Sequence, residues 1–233
     1  MRISEIYASL QGEGLLAGTP STFVRTSGCN LRCRWCDTPF TSWAPTGDER
    51  TIEAILESVA SLPPRHVVVT GGEPLLVADL ADLCRRLRAG GYHVTIETAG
   101  TMPLDTPVDL MSISPKLASS APDPETPSNW RQRHEAARRR DDVILGLLGQ
   151  GPYQLKFVVE TDADIEEALG WVADLARSRP AGIDPARLLF MPQGRTPEEL
   201  GRTTAWLAGE CIRRGLVLAG RHQITWFGNT RGT

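Results

Sequence analysis

Residues Thr26–Phe40 read TSGCNLRCRWCDTPF and place Cys29, Cys33 and Cys36 within eight positions. Thiolates are soft ligands that select zinc, copper(I) or iron–sulfur clusters over hard cations. A structural zinc site closes its tetrahedron with a second ligand pair further along, and no such pair follows. Cys84 lies among Leu80, Leu83 and Leu87 at helical spacing, and Cys211 lies in AWLAGECIRRG; both read as core. An electron-transfer cluster also takes four cysteines. Three thiolates on a four-iron cluster leave one iron open to an outside ligand, as a catalytic metal site does. A structural zinc or ferredoxin-like module of a binding protein is the competing reading, and the missing fourth ligand counts against it.

Outward from this stretch the chain alternates β-branched runs with amphipathic patterns. STFVRTSG, HVVVTGG, HVTIETAG, DLMSISPK, YQLKFVVE and RLLFMPQG read as strands. TIEAILESVASL, VADLADLCRRLRAGG, DADIEEALGWVADLARS and TPEELGRTTAWLAGECIRRG read as helices. Such alternation implies an α/β fold with a parallel sheet and right-handed crossovers, either an open doubly wound sheet or an incomplete barrel. Sites in both lie at the C-terminal ends of the strands. The unusual residues fall there: Gly28 and Cys29, Thr70 to Glu73, Glu97 to Gly100, Ser114 to Lys116, and Gln193. Residues 1–233 are expected to form a single domain. Its rhythm is interrupted at about 117–151 by a Pro-rich stretch and the helical run RQRHEAARRRDDVILGLLG, whose arginines suit a solvated face better than an acidic partner.

The formal net charge of -3 argues against a dedicated nucleic-acid or anionic-membrane binder. The opening MRISEIYASLQGEG has no signal-type apolar core and no later apolar run reaches membrane length, so a cytoplasmic protein is expected. Three clustered cysteines among five suit metal or redox chemistry rather than a disulfide framework. Of the 25 basic residues only Lys116 and Lys156 are lysines. In so Arg-biased a chain, those positions suggest a need for a compact ammonium.

The C-x3-C-x2-C spacing, with Trp35 before the last cysteine, resembles the radical S-adenosylmethionine (SAM) superfamily. TGGEP at Thr70 to Pro74 agrees, since Gly71 and Gly72 let backbone approach a ligand closely. Further features resemble the 7-carboxy-7-deazaguanine synthase family of the queuosine (deazapurine) pathway. They are SLQGEG at Ser9 to Gly14, FVRTSGCNLRC, CDTPF, SPK and the tail WFGNTRG. The resemblance implies an irregular, incomplete (β/α)6 partial TIM barrel. It implies ring contraction of 6-carboxy-5,6,7,8-tetrahydropterin to 7-carboxy-7-deazaguanine with loss of ammonia, a carbon–nitrogen lyase activity. Implied with it are a 4Fe–4S cluster, SAM as source of a 5′-deoxyadenosyl radical, Mg2+, an electron donor such as flavodoxin, and a homodimer.

On that resemblance Cys29, Cys33 and Cys36 hold the cluster and Thr38 binds Mg2+, whereas DTP alone would read as a turn or helix cap. Gln11, Gly12, Glu13, Arg25, Thr70 and His222 would hold substrate. Glu and Gln match an aminopyrimidinone edge, and Arg25 could grip a carboxylate. Read bare, QGEG is a turn, Arg25 a strand-edge cation, Thr70 strand packing and His222 surface. Gly71, Gly72, Glu73, Ser114, Lys116, Met191 and Gln193 would contact SAM. ETAG departs from the family's usual ETNG, which leaves the role of Glu97 open. A glycyl-radical activating enzyme, acting on a protein, is the alternative; QGEG speaks for a small-molecule pocket instead.

Overall fold

The computed structural model describes all 233 residues. The chain opens with β1 (Arg2–Leu10), a strand beyond the six expected from β-branched runs. Its only buried side chain is Ile3, so the alternation that betrays a half-buried strand is faint. In chain order follow β2 (Pro20–Thr26), α1 (Pro39–Ser42), β3 (Asp48–Glu49), α2 (Ile52–Ala60), β4 (His66–Gly71), α3 (Leu80–Ala89) and β5 (His93–Thr98). Next come β6 (Leu110–Ile113), α4 (Ser128–Arg138), α5 (Asp141–Leu148), β7 (Tyr153–Val159) and α6 (Asp162–Arg177). The chain ends with β8 (Leu188–Pro192), α7 (Pro197–Arg214), β9 (Val217–Leu218) and α8 (His222–Phe227).

All nine strands form one sheet in the order β3-β1-β2-β4-β5-β6-β7-β8-β9. β1 runs antiparallel to β2 and β3, and every other pairing is parallel. The six parallel strands from β2 to β8 are the six β-branched runs. The sheet does not close: its ends, β3 and β9, are two residues each and lie at opposite edges. Short edges offer little backbone to a foreign strand.

Local chemistry starts and stops the helices. Thr51 accepts a hydrogen bond from Ala54 N–H, Thr161 forms a capping box with Asp164, and Thr196 accepts from Glu199 N–H. α7 ends at Gly215, whose φ of 67° is left-handed. Helices α2, α3, α5, α6 and α7 pack on one face of the sheet over a core that includes Val24, Val67, Val69, Ile96, Phe157 and Trp171. Strand residues alternate faces, so the opposite, inner face carries Ser21, Phe23 and Arg25 on β2, and His66, Val68 and Thr70 on β4.

The run expected as one helix from Arg131 is two, α4 and α5. Arg139 leaves the helix with φ -115° and ψ 108°. There its guanidinium reaches Asp141 and Asp174, while Arg140 pairs with Asp142 and Arg138 with Glu135 and Glu167. These three arginines are thus matched within the chain.

Candidate active site

A cavity of about 520 Å³ opens on the inner face, lined by all three clustered cysteines and by residues from both chain termini. The loop from Ser27 to Thr38 carries the thiols. Its entry packs against the end of β4 so closely that a Cβ on Gly72 would lie 2.2 Å from Gly28 O and 2.9 Å from Cys29 Cβ. That contact, rather than turn geometry alone, demands glycine. The loop's far side is clamped by α4. Arg32 N–H donates to His134 Nδ1 at 3.1 Å, and the Arg32 guanidinium lies 3.9 Å over the Trp130 ring.

None of the five cysteines is in a disulfide. Burial pushes the Cys29 thiol up to about 11 and the Cys33 thiol up to about 12. A bound cation would supply the charge that stabilises these thiolates. No three His, Cys, Asp or Glu side chains are arranged to hold one metal ion. Soft donors that share a cavity without converging on an ion-sized point fit a multi-iron cluster, where each thiolate takes a different iron.

The opposite wall is charged. After β1 the segment Gln11–Leu16 crosses the inner face, where Leu15 N–H donates to Gln154 Oε1 on β7 at 2.8 Å. It delivers Glu13 to the centre of a buried network. Lys156 Nζ donates to Glu13 Oε2 at 2.9 Å and to Glu97 Oε1 at 3.2 Å. Arg221 pairs with both Glu13 and Asp37, and Gln223 Nε2 donates to Glu13 Oε1 at 2.8 Å. Lys156 and Arg221 hold the Glu13 carboxyl well below the usual range, overcoming the burial that would raise it. Gln11 Nε2 and the Thr70 hydroxyl donate to Glu97 at 3.2 and 3.3 Å. Gly12 is required here too: a Cβ would sit 2.7 Å from the backbone N of Gln223. Beside them Arg25 donates through Nε to Glu5 at 2.7 Å and through Nη2 to the Tyr7 hydroxyl at 2.8 Å.

Most expected positions line this cavity: Gln11, Gly12, Glu13, Arg25, the three cysteines, Thr38, Thr70, Gly71, Gly72, Ser114, Lys116 and Met191. Lys116 Nζ donates to Ser114 O and Oγ, both at 2.8 Å. Three positions do not reach it. Glu73 is fully buried beneath the floor, where it accepts from Leu75 N–H, the Thr98 hydroxyl and Ala99 N–H. It ties β4 to the end of β5 and has no face toward a ligand. His222 is exposed and stacks on Trp226, ring centroids 5.1 Å apart, whereas Arg221, the non-helical cap before α8, and Gln223 line the cavity. Gln193 lies past the end of β8, where its N–H donates to Val159 O, outside the lining.

Arg221, Gln223, Asp37 and Glu97 join the site without having been assigned to it. Arg221 carries no signal in so Arg-rich a chain. Glu97 stood at a strand end with its role open, and Lys156 was marked only by the scarcity of lysine.

The radical SAM superfamily pattern matches residues 23–147. A 7-carboxy-7-deazaguanine synthase of Rhodopirellula baltica is 44% identical over 99% of this chain and 88% of its own length. The synthase of Halobacterium salinarum is 48% identical over 96% of this chain and 90% of its own. Among solved structures, QueE from Escherichia coli superposes with a TM-score of 0.69 at 24% identity, covering 94% of this chain and 92% of that one. SuiB of Streptococcus suis, solved with S-adenosylmethionine, has a TM-score of 0.52 at 15% identity, covering 85% of this chain and 47% of that one. Such structural likeness speaks for the fold, and the end-to-end identity to the two synthases for more: this chain belongs to the 7-carboxy-7-deazaguanine synthase family of the radical SAM superfamily.

Proposed function

We propose that the chain converts 6-carboxy-5,6,7,8-tetrahydropterin to 7-carboxy-7-deazaguanine, with loss of ammonia. One observation carries this reading: a single cavity joins an unpaired thiol triad to a wall of paired carboxylates and an arginine. Radical SAM enzymes use a 4Fe–4S cluster and SAM, and here Cys29, Cys33 and Cys36 would hold the first. Bound together, the two supply the one-electron chemistry that takes a hydrogen atom from the substrate.

The chain's own part is to hold the substrate and keep water away. Arg25 has Nη1 without a protein partner and faces the cavity, so it can receive the pterin carboxylate while Glu5 and Tyr7 fix its plane. Glu13 and Glu97 offer acceptors, and Gln11 and Thr70 add donor–acceptor groups, for the aminopyrimidinone edge. Gly71, Gly72, Ser114, Lys116 and Met191 would meet SAM. Trp35, Phe40 and the tail from Gly228 to Thr233 wall the cavity and limit water around a reactive species. Mg2+ would bind at the Thr38 hydroxyl. Beside it Asp37 Oδ1 is buried without a hydrogen-bond partner, and such hard oxygens suit a cation completed by water and substrate. A one-electron donor such as flavodoxin and a homodimeric assembly complete the proposal on the family resemblance alone. No helix is long and apolar enough to cross a membrane.

The test is anaerobic. Reconstituted protein is incubated with SAM, a reductant, Mg2+ and 6-carboxytetrahydropterin, and mass spectrometry looks for 7-carboxy-7-deazaguanine. Its formation supports the proposal. Formation of 5′-deoxyadenosine alone would overturn the substrate, and formation of neither by cluster-loaded protein would overturn the chemistry.

A further inference from the structure

Glu13 and Glu97 are two carboxylates aimed into one cavity from distant parts of the chain, and each is wanted ionised if it is to accept an N–H bond. Unscreened like charges in a desolvated site do not both stay ionised; one takes up a proton. The cation between them is Lys156, whose side chain is 3% exposed and touches both. No smaller arrangement of the residues present does this. Arg221 reaches Glu13 and Asp37 but not Glu97, and Arg25 bonds to Glu5 and Tyr7 rather than to either carboxylate.

We propose, resting on the pterin reading above, that Lys156 is a substrate-positioning residue. Its ammonium sets the spacing of Glu13 and Glu97 and keeps both as acceptors for the aminopyrimidinone edge. A guanidinium is longer, with its donors fixed in one plane, whereas an ammonium is a compact point charge with three rotatable donors, and here these reach Glu13 and Glu97 together. That gives a physical reason for one of the chain's two lysines.

The groups facing this triad are known from every side: Arg221 and Gln223 on Glu13, Gln11 and Thr70 on Glu97, and Asp37 behind Arg221. Tyr7 and the Arg25–Glu5 pair complete the surroundings. None of them supplies a second cation to Glu97. Removing the Lys156 charge therefore leaves Glu97 with no cationic partner, while Glu13 keeps Arg221, and a proton taken up at this pair makes a donor where the substrate also donates.

The experiment uses the cluster-loaded enzyme and Lys156→Met, with iron content and SAM affinity measured beside steady-state kinetics. Lys156→Met should keep its iron and its SAM affinity while the pterin KM rises about 10- to 100-fold, the range of one lost charge-assisted contact. Its kcat/KM should also gain an acid limb absent from wild type, recovering as pH rises. The double variant Lys156→Met/Glu97→Gln, which removes both charges, should lose that limb because one carboxylate remains. An unchanged KM and pH profile overturn the proposal. So does an additive double variant with no change in pH profile, as a packing role would give. A wild type that ignores the pterin altogether would instead overturn the substrate reading.

Discussion

Two polar rows lie on the same inner face of the sheet, one at each end of the same strands, and only one of them faces a cavity. At the strand starts His66 is sandwiched between Ser21 and Thr95, with Ser21 Oγ 2.7 Å from Nδ1 and Thr95 Oγ1 2.8 Å from Nε2. Four residues further along β2 and β4, Arg25 and Thr70 stand with Glu97 at the cavity wall. The first row is neutral, closed and drawn from adjacent strands. Burial and neighbouring His93 hold the His66 imidazole down at about 4. The second row is ionic, gathers partners from residue 5 to residue 223, and faces space large enough for a ligand. Buried polarity alone is therefore a poor sign of function. Opposed charges around an open volume are a better one, because their desolvation cost is offset only where something uses them.

The comparison can be broken at several points. The largest effect is expected at Cys29→Ala, which should abolish cluster loading and turnover while far-UV circular dichroism stays native. Retained turnover would remove the triad from the chemistry. Arg221→Ala should follow, leaving Glu13 and Asp37 without their shared cation. Breaking such a buried pair costs about 3–5 kcal/mol, readable as a lower urea midpoint, with turnover falling as well. A loss under about 1 kcal/mol would show that the ionic row is not a coupled unit.

The smallest effect belongs to the closed row. His66→Leu should cost about 1–3 kcal/mol by leaving the buried Thr95 hydroxyl unmatched while Ser21 keeps its bond to Thr19 O, with kcat/KM unchanged. Here the pH dependence has a definite sign. The folded-state pKa of His66 lies below its ordinary 6.5, at about 4. Its contribution is thus fully present above 6.5 and is lost as pH falls toward 4. The stability gap between wild type and His66→Leu should narrow over that window in urea titrations. A constant gap would mean that His66 is not buried neutral.

Much of this was legible in the residues. The six parallel strands and four main helices follow from β-branched runs and helical periodicity. The thiol triad follows from spacing alone. β1 was not legible because its side chains are mostly half-exposed on both faces and give no clean alternation. His222 lies outside the cavity because Arg221 is the non-helical cap before α8 (φ -120°, ψ 68°): the chain turns between them, and a break of that kind leaves no periodic signal in the sequence. Glu73 was misplaced for a related reason. The glycines before it meet the cavity, but the chain then turns down and its carboxylate is consumed by Leu75 N–H of its own turn and by Thr98 and Ala99 at the end of β5.

By itself the sequence determined the chemistry-bearing loop, the parallel α/β frame and the family, because these rest on local spacing and short-range periodicity. Only the tertiary structure decided that Glu13, Lys156, Glu97 and Arg221 form one site. They lie up to 208 positions apart, and nothing in local sequence encodes a Coulombic partner brought close by a sheet that curls its first and last segments over the same face.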